Sequence, residues 1–280
     1  MYEEPYRWVE AVGNRRTYLD EQFRQGSPVV ALSYADGLLL LTISRGTPKL
    51  YEVYDRIGLG GMGHPADLEK LRFGLLEMAH TEGFNRSPSD VTGARLMKYG
   101  LAPVIKQAFE EIFKAPHIVK ILLAELGTKP ERDTFLTVNY DGIFEESSRC
   151  AALAATPDVY KAMMAAIAKG LGTSPAPLRD ALRLALQAWA LGSLLQRAGD
   201  QEESEKPSGG TAPAKGQASA TPDDAALSAH LRETLGDKTI ECALLKRQAP
   251  GSSKYRTVKP DELRELLPAE LHTSLVNRTA

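Results

Sequence analysis

Five histidines and two cysteines are the side chains of this chain best suited to hold a metal or attack a carbon. Their spacing supports neither chemistry. His64, His80, His117, His230 and His272 form no His-x-x-x-His or His-Glu-x-x-His pair, the arrangements by which one helix face offers two imidazoles to an ion. No metal site is expected. Cys150 and Cys242 are far apart, in the apolar settings Ser-Arg-Cys-Ala-Ala-Leu and Ile-Glu-Cys-Ala-Leu-Leu, without a Cys-x-x-Cys. That is the pattern of buried free thiols in a reducing compartment. Ile57-Gly-Leu-Gly-Gly-Met-Gly63 has the glycines of a phosphate loop, but no Lys-Ser/Thr follows. Its glycines are read as close packing of a neighbour on a strand, and no cofactor is expected. Tyr54-Asp55-Arg56 is expected to form an internal ion pair at a strand turn, and Met62, Met78, Met163 and Met164 fall at core spacing.

The elements around these residues follow from hydrophobic periodicity. Residues 5 to 25 predict an amphipathic helix with Trp8, Val9, Val12, Tyr18, Leu19 and Phe23 on a partial apolar stripe. Residues 29 to 62 predict about four strands, broken at Ala35-Asp36-Gly37 and at Gly46-Thr47-Pro48. A helix behind Pro65 carries Leu68, Leu71, Leu75 and Met78, and a loop is expected over 81–88. A second helix should start near Ser89 or Asp90, run to Ile112 and Phe113, and kink near Tyr99-Gly100 because Pro103 lies inside it.

Strands return at 117–125 and 134–139, the latter turning through Tyr140-Asp141-Gly142 into Ile143-Phe144. Thr156-Pro157 and Ser174-Pro175 read as helix starts, a capping residue followed by a first-turn proline. Residues 198–224 are rich in Glu, Ser, Pro, Gly, Thr and Ala and read as a disordered insertion. Strands at 239–246 and 255–258 and a last helix from Pro260, with Leu263, Leu266 and Leu267, close the chain. The order fits two facing sheets with helix pairs outside, an α+β architecture.

At 280 residues and 43% hydrophobic, the chain can bury a full core. A formal charge of −2 with no Lys/Arg block argues against nucleic acid and anionic lipid as partners. The N-terminal Met-Tyr-Glu-Glu-Pro-Tyr-Arg-Trp is acidic where a signal peptide is basic, and no run approaches a membrane span. The expectation is a cytoplasmic protein with protein or peptide partners.

Five stretches, in this order and spacing, resemble the α-type subunit of the 20S proteasome, in its bacterial, actinobacterial-like branch. They are Ser27-Pro-Val-Val-Ala-Leu-Ser-Tyr34, Tyr51-Glu-Val-Tyr-Asp-Arg-Ile-Gly-Leu59, Leu71-Arg-Phe-Gly74, Asp90-Val-Thr-Gly-Ala-Arg-Leu96 and Thr239-Ile-Glu-Cys-Ala-Leu-Leu245 within the strand at 239–246. The resemblance implies a four-layer α-β-β-α sandwich, the proteasome and N-terminal-nucleophile hydrolase fold, over residues 27–280. It implies heptameric α-rings that cap rings of β-type peptidase subunits and receive unfolded proteins from a ring-shaped ATPase activator. Residues 1–26 take the place of the family's gate segment; their sequence departs from its usual pattern, and the 198–224 insertion is longer than expected.

The same resemblance places Ser27 where the family's peptidases carry their nucleophile, behind Gly26. Such a nucleophile needs a hydroxyl on residue one, that residue's own α-amine as base, and a Lys and an Asp nearby. Here the carboxylate position holds Ile43, and Pro28 restricts Ser27 to extended backbone. A non-catalytic subunit is therefore expected, the alternative being a self-processing peptidase that uses Ser27 with Lys49, and a third reading a homomeric shell unrelated to proteolysis. Lys49 keeps the place of the peptidase lysine. In α-type subunits that lysine implies a pocket between neighbouring subunits for the C-terminal carboxylate of an ATPase tail, with Gly26 leaving room beside it. Without the resemblance, Lys49 reads as a solvated charge at a strand end.

Overall fold

A computed structural model describes residues 4–204, 222–267 and 271. Helix α1 (Glu4–Arg24) leads into strands β1 (Val29–Tyr34), β2 (Gly37–Ser44), β3 (Leu50–Tyr54) and β4 (Ile57–Gly63). Helices α2 (Pro65–Asn85), α3 (Gly93–Arg95) and α4 (Ala102–Glu110) follow, then β5 (Val119–Glu125), β6 (Thr134–Val138), β7 (Phe144–Ser147) and β8 (Cys150–Leu153). The chain continues with α5 (Pro157–Gly170), α6 (Leu178–Ser204), α7 (Asp224–Leu235), β9 (Thr239–Lys246), β10 (Tyr255–Thr257) and α8 (Pro260–Leu266).

The strands form two five-stranded antiparallel sheets, ordered β10-β9-β2-β1-β8 and β3-β4-β5-β6-β7. Strand alternation sends side chains to different layers. Leu39, Leu41 and Ile43 face α5, α6 and α7, while Leu38 and Leu40 face the other sheet. In the second sheet Ile121 and Leu123 pack on α2 and the helical segment after it, while Leu122 and Ala124 point between the sheets. Three apolar layers between four layers of structure give the expected α-β-β-α sandwich. Helix α1 adds Leu19 and Phe23 to the middle layer and leaves Trp8, Val9 and Tyr18 exposed.

The glycines of β4 act as expected. A Cβ at Gly60 would lie 2.8 Å from Val29 Cγ1 across the sheets, and one at Gly61 only 2.3 Å from Leu68 of α2. Side chains on β4 would hold both neighbours away.

Several boundaries differ from the sequence reading. Helix α2 runs through residues 81–85, so the expected loop is shorter, and Thr92 rather than Ser89 caps the next helix by accepting the Arg95 N–H. The expected kink is a π-helical segment, Leu96–Leu101, between α3 and α4. A π segment widens the turn ahead of Pro103, whose ring and missing N–H a regular helix does not accommodate. Ile112 and Phe113 lie beyond α4. Helix α6 begins at Leu178 instead of at Ser174-Pro175, since a residue before proline such as Ala176 disfavours the helical region. Arg56 pairs with Glu125 at 3.3 Å rather than with Asp55. Strand β8 and helix α7 are additional. The Ala-rich β8 pairs with β1, and α7 starts on an Asp223 cap. Of the insertion expected over 198–224, residues 198–204 belong to α6 and 224 opens α7; residues 205–221 lie outside the described residues.

The histidines have structural partners. His64 Nδ1 caps α2, His117 Nδ1 lies 3.4 Å from Asp67, and His80 packs edge-on to Tyr54. His272 lies outside the described residues. Among the described residues no group of His, Cys, Asp or Glu could hold a metal ion, and no helix is long and apolar enough to cross a membrane. Cys150 and Cys242 are buried free thiols, and burial raises both pKa values.

Two cations fasten α1. The Arg15 guanidinium donates to the carbonyls of Ala108, Phe109, Glu111, Ile112 and Lys114, at 2.6–3.1 Å, gathering the carbonyls where α4 ends. Lys120 Nζ donates to the carbonyls of Ala154 and Ala155, both at 2.9 Å, and lies 4.8 Å from the centre of the Phe23 ring. Burial lowers its pKa to about 8 against the pull of Asp20 and Asp141. Arg15→Ala should destabilise the chain by about 2 kcal/mol, read by denaturant unfolding, because charged donors to carbonyls at the end of a helix are lost. An unchanged midpoint would remove Arg15 from this role. Folding strips Lys120 of its proton more easily than the unfolded chain does, so its contribution to stability rises as pH goes from about 8 toward the ordinary lysine range. Lys120→Met should flatten that rise in a pH series of unfolding curves.

Candidate functional site

The segment joining α1 to β1, the ends of β2 and β4 and the middle of α6 enclose a cleft of about 430 Å³. Ser27, Lys49 and Gly26 all line it, so the structure brings together the three residues singled out in the sequence. Each sits in a defined setting.

The Ser27 hydroxyl donates to the Ile43 carbonyl at 2.6 Å and accepts the Trp189 indole N–H at 3.1 Å. The Thr42 hydroxyl, which donates to the Pro28 carbonyl at 2.7 Å, lies 3.3 Å away. Ser27 thereby joins the start of β1 to β2 and to α6. Its nitrogen is the amide of the Gly26-Ser27 peptide, without an amine's lone pair for base catalysis. Where a carboxylate would stand, the Ile43 side chain is fully buried among apolar residues.

Gly26 contributes backbone. Its N–H donates to Phe23 O at 2.8 Å and its carbonyl accepts from Gln196 Nε2 at 3.2 Å. A Cβ there would lie 2.5 Å from Met62 Cε and 2.9 Å from Phe23 O. The close approach of the α1 end and β4 already requires glycine at this position.

Lys49 stands just before β3. Its backbone N–H donates to Glu241 Oε2 at 2.8 Å, while Glu241 Oε1 accepts from the Ser44 hydroxyl. Glu241 thus fixes the loop between β2 and β3 with both oxygens. Burial pulls the Lys49 pKa down, Glu241 opposes that shift, and Lys238 adds to it. The other cations of the lining are Arg24, Arg45, Arg197 and Lys238. Trp189 stacks on His230 with ring centroids 6.4 Å apart, and His230 Nε2 lies 3.0 Å from Ser193 Oγ. The cleft is a cationic recess with a rigid aromatic and hydrogen-bonded floor, suited to receiving an anion.

Sequence reasoning did not reach Trp189, Gln196, Arg45, Lys238 or Glu241. Only Glu241 left a signal, as a lone carboxylate in the otherwise apolar strand 239–246. The others come from segments distant in sequence, on α6 and in the loops after β2 and α7.

Two facing antiparallel sheets between helical layers, with an occupied serine at the head of the first strand, define an α-β-β-α protein of the proteasome and N-terminal-nucleophile hydrolase class. No protein-family model matches the chain. It is 34% identical to proteasome subunit alpha of Actinosynnema mirum over 183 residues, which is 64% of this chain and 67% of that one. Against proteasome subunit alpha of Acidothermus cellulolyticus identity is 30% over 192 residues, 68% and 77% of the two chains. Against that of Streptomyces griseus subsp. griseus it is 27% over 267 residues, 93% and 83%. The chain belongs to the proteasome α-subunit family.

Removing the Ser27 hydroxyl tests its structural role. Ser27→Ala leaves the Trp189 N–H without its partner and should cost about 1–2 kcal/mol in unfolding free energy. Ser27→Ala together with Trp189→Phe removes both polar groups and should cost less than the sum of the single changes. Additive costs would contradict the described bond.

Proposed function

We propose that this chain is a non-catalytic α-type subunit of a bacterial 20S proteasome core particle. Seven copies form the outer ring, β-type peptidase subunits stack beneath it, and residues 1–26 gate the passage of unfolded proteins. A ring-shaped ATPase docks through C-terminal tails whose carboxylates enter the cleft and meet Lys49, beside the Gly26 backbone. The assembly works in the cytoplasm and needs no cofactor in this chain.

The observation that carries the non-catalytic reading is the Ser27 hydroxyl, which donates to a main-chain carbonyl and follows a peptide bond instead of an amine. A nucleophile in that position needs its oxygen directed at substrate and a base to take the proton. Docking at Lys49 draws support from the charge of the recess. An ammonium whose pKa is lowered by burial gains from a carboxylate that restores its charge. The gate reading draws support from α1, which Arg15 ties to the end of α4 while its exposed face carries Trp8 and Val9.

Lys49→Ala should abolish stimulation of small-peptide turnover by a peptide copying the ATPase C-terminus, in particles assembled with the β-type partner. Unchanged stimulation would overturn the docking reading. In the unmodified particle, stimulation should fall as pH rises through the depressed Lys49 pKa, below the ordinary lysine value, because only the ammonium pairs with the tail. Deleting residues 1–8 should raise turnover without the ATPase peptide, and no change would count against the gate.

A further inference from the structure

We infer that the cleft recognises a chain end bearing two negative groups: the terminal carboxylate at Lys49 and an acidic side chain shortly before it, held at the rim by Arg45 and Lys238. The inference rests on the docking reading above and extends it to the class of tail. Arg24, Arg45, Lys49, Arg197 and Lys238 line the cleft, and no carboxylate does. Carboxylates beyond the lining meet part of this charge. Glu241 spends both oxygens on Ser44 and on the Lys49 N–H. Asp237 lies 3.7 Å from Arg45, with both side chains more than two thirds exposed, and such a solvated pair holds little. Glu233 engages Arg197 at 3.3 Å.

The cations also work against one another. Lys238 helps to lower the Lys49 pKa against the pull of Glu241, and Arg45 and Arg197 add to the effect of burial on Lys238 against the pull of Asp237. One carboxylate at Lys49 relieves one member of this group. A second anion reaching Arg45 and Lys238 relieves two more, and because the Arg45 side chain is well exposed, its contribution should vary with salt. A peptide end fits this geometry, since an extended chain places a side chain a few residues back at the mouth while its terminus is inside.

The test is fluorescence anisotropy with the full chain and labelled dodecapeptides ending in Glu-Ala-Leu or Gln-Ala-Leu, each as free acid and as C-terminal amide. The Glu free acid should bind about fivefold tighter than the Gln free acid at low salt, the scale of one partly exposed ion pair. That advantage should drop below about twofold at high salt and in the Arg45→Gln, Lys238→Gln double variant. Equal affinity of the two free acids for the unmodified chain would overturn the second-anion inference and leave the carboxylate reading standing. Free acids no tighter than amides would overturn the docking reading itself. Inorganic phosphate displacing the Glu peptide at matching concentration would identify a free-anion site and overturn the peptide assignment.

Discussion

Strands β1 and β2 are buried along their whole length on both faces, and the rest of the architecture answers that constraint. A sheet with apolar side chains on both sides needs two covers, each large buried aliphatic side chain contributing about 1.5–3 kcal/mol once water is excluded. One cover is the second sheet, brought close by the bare backbone of Gly58 and Gly60. The other is α6 with α5 and α7, which lay Trp189, Leu186 and Met163 over Leu39, Leu41 and Ile43. The second sheet has the same need on its outer face, met by α2 and the helical segment around the π turn.

At the head of β1 this burial meets the polar backbone, and Ser27 manages the transition. Its hydroxyl accepts from the Trp189 indole and donates to Ile43 O, so one side chain satisfies a buried N–H and links three elements. In a hydrolase of this fold the same position has to remain available to substrate. Here it is committed to holding the floor of the cleft. In the proposed function the chemistry of the cleft is recognition, with Lys49 and its neighbours balancing desolvation against mutual repulsion.

Much of the fold was legible because its signals are local. The prolines at 65 and 157, the glycines of β4 and the apolar alternation of β2 each report directly on their own element. What escaped depends on partners far along the chain. Strand β8 is an alanine-rich segment whose strand character comes from pairing with β1, and α7 follows a polar stretch that hides its beginning. Pro103 gave its location correctly but not the π turn that accommodates it. For the cleft, Lys49, Gly26 and Ser27 were legible through resemblance to the family, while Trp189, Arg45 and Lys238 were not, because no local pattern marks a residue that closes a cleft from another element. Gly26 shows the limit most clearly: its lack of a side chain is already required by Met62 and Phe23.

The proposed function makes Ser27 a structural residue in an uncleaved chain that assembles with a separate peptidase. Native mass spectrometry of this chain co-expressed with a β-type partner, with intact masses of the released subunits, tests this. A particle holding copies of this chain in multiples of seven, with the Gly26-Ser27 bond intact, is expected. A smaller species whose chain begins at Ser27, active as a peptidase without any partner, would contradict it.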